Sequence, residues 1–136
     1  MSSVVFVKQD IYSLIEHEIA LLERFNMVEE APFSLVYFNL EGRQEIDIAR
    51  VFQRILRKTD ALFQDDDNFV LLLPGTDWNG ATELLAGIQD FLNQDPIDTI
   101  VTFPDDGQDG KTLMLKLREK VEDFSGIKVK MLKLKS

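Results

Sequence analysis

The chain contains no cysteine and a single histidine, His17, among its 136 residues. Without cysteine it can form neither disulfides nor thiolate metal sites, and it cannot use a cysteine nucleophile. One histidine cannot build a metal centre of the kind that needs several imidazole ligands. A cysteine-free composition fits a reducing compartment, so we expect a cytoplasmic protein. We also expect that it carries no metal or other cofactor.

Long apolar runs are also missing. No segment approaches the roughly 20 apolar residues that a membrane-spanning helix needs, and the first eight residues lack the pattern of a signal peptide. We therefore expect no association with a membrane. With 45% apolar residues, the sequence predicts one globular domain over residues 1–136.

Positive charge is scarce, with 15 basic residues against 24 acidic ones and a net charge of −9. A field of that sign repels phosphate backbones and disfavours nucleic acid as a partner. Four lysines nevertheless crowd the last nine residues: Lys128, Lys130, Lys133 and Lys135. They could form a nucleic-acid arm, but lysines that protect an exposed edge strand from aggregation are the preferred interpretation.

The spacing of apolar residues predicts a mixed α+β chain. Helices are expected at residues 10–26, 45–58, 77–94 and 111–123, and strands at residues 33–40, 61–64, 68–73, 97–103 and 127–134. The apolar face of the first helix consists of Ile11, Leu14, Ile15, Ile19, Leu22 and Phe25. Without that helix, the order is a ferredoxin-like βαββαβ core followed by a C-terminal helix and strand, with helices expected mainly on one face of the sheet.

Residues 60–74 predict a tight hairpin, in which a short strand and an acidic turn precede a fully apolar strand that stops at Pro74. The residues of the turn are Asp65, Asp66, Asp67, Asn68 and Phe69. This segment resembles the signature hairpin of the GGDEF family, bacterial diguanylate cyclases that make cyclic di-GMP from GTP. The resemblance implies the palm-type fold of nucleotide cyclases, which agrees with the predicted element order.

Other segments resemble the same family in the same order along the chain. They are the strand entry at residues 31–36, Asn39-Leu40-Glu41 in place of Asp-x-Asp, Leu56-Arg57-Lys58-Thr59-Asp60 in place of Arg-x-x-Asp, the run at residues 71–76, and Thr102-Phe103-Pro104-Asp105-Asp106-Gly107 in place of Thr-Tyr-Pro-x-Asp-Gly. Together they cover about residues 32–124.

The departures from the family pattern fall on the residues that the resemblance would make catalytic. Asn39 replaces a magnesium-binding aspartate, Asn68 replaces an acid, and Asp65 and Asp66 replace two glycines that let backbone approach the nucleotide. The segment that would read guanine is also missing after Glu41. We therefore expect a degenerate, catalytically inactive GGDEF-like domain that acts in signalling or regulation by binding a protein partner.

Arg57 and Asp60 support an alternative function. They are similar to the inhibitory site at which active relatives bind cyclic di-GMP, so the chain could be a receptor for that or another nucleotide. We favour the interpretation that they form the exposed end of an amphipathic helix and bind no ligand. Arg57 also continues a basic stripe with Arg50 and Arg54, which could dock an acidic partner.

The acidic turn permits two interpretations as well. Asp65, Asp66 and Asp67 could bind a divalent cation with Glu41. Consecutive side chains of a strand point to opposite faces, so a solvated acidic turn is preferred and no metal site is assigned.

Overall fold

The computed structural model describes residues 4–7, 10–39, 56–65, 68–91 and 99–125. The elements in this part of the chain are, in order, β1 (Val4–Val7), α1 (Ile11–Arg24), β2 (Phe33–Asn39), β3 (Ala61–Asp65), β4 (Asn68–Pro74), α2 (Trp78–Phe91), β5 (Ile100–Phe103) and α3 (Gly110–Ser125). None of the helices in these ranges combines the length and apolar composition needed to cross a bilayer.

The five strands form one sheet in the order β1-β3-β4-β2-β5. The four strands β3, β4, β2 and β5 pair antiparallel throughout, in the order of a ferredoxin-like core. The predicted α+β fold and the four strands of its core are therefore confirmed. Residues 45–55 of the helix expected at residues 45–58, which include Arg50 and Arg54, lie outside the described residues, as does the whole strand expected at residues 127–134. Residues 56–58 are not helical, so the expectation that Arg57 lies at the end of a helix is wrong.

Strand β1 was not predicted. Val4–Val7 pairs in parallel with β3 and adds a fifth strand beside the core. Its β-branched and aromatic side chains carry a strand preference, but four residues are too few to show an alternating pattern. The signal was present and too short to interpret.

Helices cover both faces of the sheet. On β2, Phe33 and Leu35 join the core beneath α1 and α3, whereas Val36 and Phe38 join the core beneath α2. Burial on both faces explains why β2 is an almost continuous apolar run. The expectation of helices mainly on one face is wrong, because α1 and α3, which lie outside the βαββαβ core, cover the second face.

The predicted apolar face of α1 is confirmed except at its end. Ile11, Ile15 and Ile19 are buried, but Phe25 is 63% exposed. The helix ends at Arg24 and Phe25 is its C-cap, so Phe25 no longer follows the helical spacing that placed it with the others. Apolar spacing alone could not show where the helix ends.

The strand register defines two ends of the sheet. Phe33 pairs with both Pro74 and Phe103, which places the start of β2 and the ends of β4 and β5 together at what we term the loop end. Asn39 pairs with Asn68 at the other end, termed the hairpin end. Six residue steps along β2 separate the two ends by about 20 Å.

Candidate functional site

At the hairpin end, two polar side chains converge on the amide oxygen of a third. Asn68 Oδ1 accepts hydrogen bonds from the Tyr37 hydroxyl at 2.5 Å and from Asn39 Nδ2 at 3.0 Å. Asn39 and Asn68 are direct cross-strand partners, and Tyr37 lies two residues earlier on the same face of β2. We call Tyr37, Asn39 and Asn68 the amide cluster.

The amide cluster is electrically neutral. Burial raises the pKa of Tyr37, and the hydrogen bond with Asn39 opposes part of that rise, so the phenol keeps its proton at neutral pH. A hard cation such as Mg²⁺ favours anionic oxygen, and Asn68 offers an amide oxygen that already accepts two hydrogen bonds. The cluster can join two strands, but it lacks the charge of a magnesium site.

The other turn residues are only partly described. Asp65 ends β3 opposite Asn68, and Phe69 is buried with its ring stacked on Phe38 at 5.3 Å. Asp66, Asp67 and the other proposed cation ligand, Glu41, lie outside the described residues. Within the ranges that are described, no group of three or more His, Asp or Glu side chains is placed to hold a metal ion.

Arg57 and Asp60 meet at the loop end. The guanidinium Nη2 lies 2.9 Å from Asp60 Oδ1, and the backbone N–H of Arg57 donates to Asp60 Oδ2 at 2.8 Å. The same Nη2 donates to the carbonyl oxygen of Pro74 at 2.7 Å and to the Thr76 hydroxyl at 2.9 Å. The side chain of Asp60 is 4% exposed and that of Arg57 is 55% exposed.

This arrangement fixes the orientation of the guanidinium. It connects the turn that precedes β3 with the end of β4, so Arg57 and Asp60 stabilise the fold whether or not they bind a ligand. The sequence identified these two residues as a pair, and the structure brings them together. It did not identify Pro74 or Thr76 as partners, because both contacts cross more than 15 positions of the chain.

Hydrogen bonds continue from Thr76 across the loop end. The Ser34 hydroxyl donates to the carbonyl oxygen of Thr76 at 2.8 Å and lies 3.1 Å from the Thr102 hydroxyl. The backbone N–H of Thr102 donates to Asp106 Oδ2 at 2.8 Å. Ser34 and Thr102 are buried, so these bonds satisfy polar groups that water cannot reach.

The loop before α3 is connected to α1. Glu16 Oε1 accepts a hydrogen bond from the backbone N–H of Gly110 at 2.6 Å, and Asp109 Oδ1 accepts one from the N–H of Thr112 at 2.7 Å. The bond from Thr112 lowers the pKa of the Asp109 carboxyl. Two carboxylates thus accept hydrogen bonds from backbone N–H groups at the start of α3. The N-terminus of a helix favours negative charge because of its free N–H groups and its dipole. Nothing in the local sequence marks Glu16 as a partner of residue 110.

The chain is similar in structure to a sensory box/GGDEF family protein from Caulobacter crescentus. The TM-score is 0.65 at 15% sequence identity, with 89% of this chain and 93% of that chain covered. No model of a protein family matches the sequence, and no curated protein matches it. At this identity the likeness supports a GGDEF-like fold and leaves the chemistry to be argued from the residues.

Proposed function

We propose that this chain is a catalytically inactive GGDEF-like domain that acts as a protein-interaction module in bacterial signalling. The amide cluster is the observation that supports this function most strongly. At positions where the family resemblance implies acidic residues, Asn39 and Asn68 hydrogen-bond to each other and to Tyr37. The amide groups have replaced charge with strand-to-strand hydrogen bonds.

Two properties of the sequence support the loss of catalysis. Asp65 and Asp66 introduce side chains and negative charge where the family turn has glycines, which opposes the close approach of a triphosphate. The segment that would read guanine has no counterpart between Glu41 and the predicted helix at residues 45–58. These changes are independent of the amide cluster, so restoring one residue would not restore the reaction.

The test is an assay for cyclic di-GMP with purified protein, GTP and either Mg²⁺ or Mn²⁺, with an active diguanylate cyclase as positive control. We expect no product from the wild-type chain and none from Asn39→Asp combined with Asn68→Glu. Product that forms with the wild type and disappears in Asp67→Ala would overturn the proposal.

A nucleotide receptor is the second candidate, supported by the half-exposed guanidinium of Arg57 beside Asp60. Binding at micromolar affinity corresponds to roughly 8 kcal/mol. Arg57 Nη2 already lies within hydrogen-bond distance of acceptors on Asp60, Pro74 and Thr76, so a nucleotide would have to compete with them. We therefore expect calorimetry to show that cyclic di-GMP and GTP bind no more tightly than about millimolar. Micromolar binding that is lost in Arg57→Ala and retained in the neighbouring Lys58→Ala would favour the receptor.

A further inference from the structure

An exposed apolar patch lies where α1 ends. Leu21 is 38% exposed, Phe25 63% and Met27 40%, which are three of the six exposed large hydrophobic residues in the described part of the chain. Leu21 and Phe25 are one helical turn apart, and the Phe25 N–H donates to the Leu21 carbonyl. The N–H of Met27 donates to the carbonyl of Leu22, which holds the chain against the end of the helix. We call Leu21, Phe25 and Met27 the α1 patch.

The rim of the α1 patch is predominantly acidic. Glu23, Glu29 and Glu30 are exposed, and the last two belong to the turn closed by the hydrogen bond from the Ala31 N–H to the Met27 carbonyl. Arg24 is the basic residue of this segment, and its guanidinium carbon lies 5.6 Å from the centre of the Phe25 ring. The C-terminus of α1 also presents the negative end of the helix dipole here.

We propose that the α1 patch binds a basic amphipathic segment of a protein partner. Exposed aromatic and aliphatic side chains would contact the apolar face of that segment, and the glutamates would face its lysines or arginines. This inference rests on the proposed interaction function and names the chemistry of the partner.

The charge of the rim argues against two other occupants. In a symmetric dimer built on the α1 patch, each copy would bring its own Glu23, Glu29 and Glu30 against those of the other, which is repulsive. An anionic membrane surface would be repelled in the same way, and a basic segment is attracted.

The test uses a synthetic 14-residue peptide that presents leucines on one helical face and lysines on the other. The protein carries carbon-13 in its methionine methyl groups, so that Met27 reports contact with the patch and the core residue Met114, which is 1% exposed, serves as an internal reference. We expect the peptide to shift the Met27 signal in a saturable manner and to leave Met114 unchanged. A peptide with glutamates in place of the lysines should bind at least about tenfold more weakly.

Two variants locate the binding surface. Phe25→Ser should weaken binding of the lysine peptide about tenfold or more, because an exposed ring at the centre of the contact is lost. Leu115→Ser on α3 removes a hydrophobic side chain of similar exposure, 40%, and should leave the affinity unchanged. Replacing Glu29 and Glu30 with lysine should weaken binding by a similar factor, and thermal unfolding of each variant verifies that it is folded.

Equal binding by wild type and Phe25→Ser, or equal binding of the two peptides, would refute the proposed surface. Self-association in sedimentation that Phe25→Ser abolishes would assign the patch to a second copy instead. Either result leaves the cyclase assay unaffected, so the docking surface and the absence of catalysis are tested separately.

Discussion

Arg57→Ala is the most informative single substitution at the loop end. It removes the guanidinium from Asp60, whose side chain is only 4% exposed, and it removes a donor from the Pro74 carbonyl and the Thr76 hydroxyl. Asp60 keeps the hydrogen bond from the backbone N–H of residue 57, so the buried carboxylate is not left without a donor.

The cost follows from these contacts. Hydrogen bonds to charged groups contribute about 1.5–3 kcal/mol each. Because Arg57 is half exposed, solvent screens the ion pair, and we expect the free energy of unfolding to fall by about 2 kcal/mol in total. Arg57→Lys should recover less than half, since a single ammonium cannot reproduce the planar two-nitrogen contact that Nε and Nη2 make with the Asp60 carboxylate.

Urea denaturation followed by the fluorescence of Trp78, the single tryptophan of the chain, measures this change. Lys58→Ala, at the exposed neighbouring position, is the control and should change stability by less than about 0.5 kcal/mol. A double-mutant cycle with Asp60→Asn should give a coupling energy of about 1 kcal/mol. If Arg57→Ala is as stable as the control, Arg57 does not anchor the fold.

Two further predictions concern the start of α3. Gly110→Ala should destabilise the protein by about 1 kcal/mol, because a Cβ at this position would lie 2.7 Å from Glu16 Oε1 and would displace its hydrogen bond. The loss of stability should be smaller in a Glu16→Ala background, and an undiminished loss would contradict this explanation. Asp109→Asn should alter how the stability of the protein depends on acid. The lowered pKa of Asp109 gives the wild type a stabilising contribution that is present above the unfolded-state pKa of about 3.9 and is lost as pH falls through the folded-state pKa. The amide that replaces this carboxylate would cap the helix without titrating. Melting temperatures of both proteins between about pH 2 and 7 should therefore converge or cross on acidification, and parallel curves would show that the carboxylate contributes no more than the amide.

The sequence predicted the strands of the core because each is a mainly apolar segment bounded by turn-forming residues. It could not predict which polar residues within those runs are buried partners. Ser34 and Thr102 are 68 positions apart, and only the antiparallel register of β2 and β5 brings their hydroxyls together. The same holds for Glu16 and Gly110, which belong to different helices.

For the candidate site, the sequence identified the positions and not their interactions. The sequence marks Asn39 and Asn68 as departures from the acidic pattern that the family resemblance implies, but their hydrogen bond depends on a cross-strand register that no local pattern encodes. Tyr37 was interpreted only as part of an apolar strand, although its hydroxyl completes the amide cluster. Helical spacing predicts that Phe25 is buried with the core, but Phe25 lies beyond the end of the helix and is exposed.

The proposed interaction surface and the amide cluster are formed by different parts of the fold. The amide cluster lies at the hairpin end, whereas the α1 patch ends at Met27, six residues before Phe33 begins β2 at the loop end. Asn39 and Asn68 form a neutral hydrogen bond at the hairpin end, and of the amide cluster only Tyr37 belongs to the core beneath α1. A partner that binds the α1 patch would consequently be insensitive to the chemistry of the hairpin, so Asn68→Asp should alter neither the affinity for the lysine peptide nor the shift of Met27. A change in that affinity would show that the two ends are coupled.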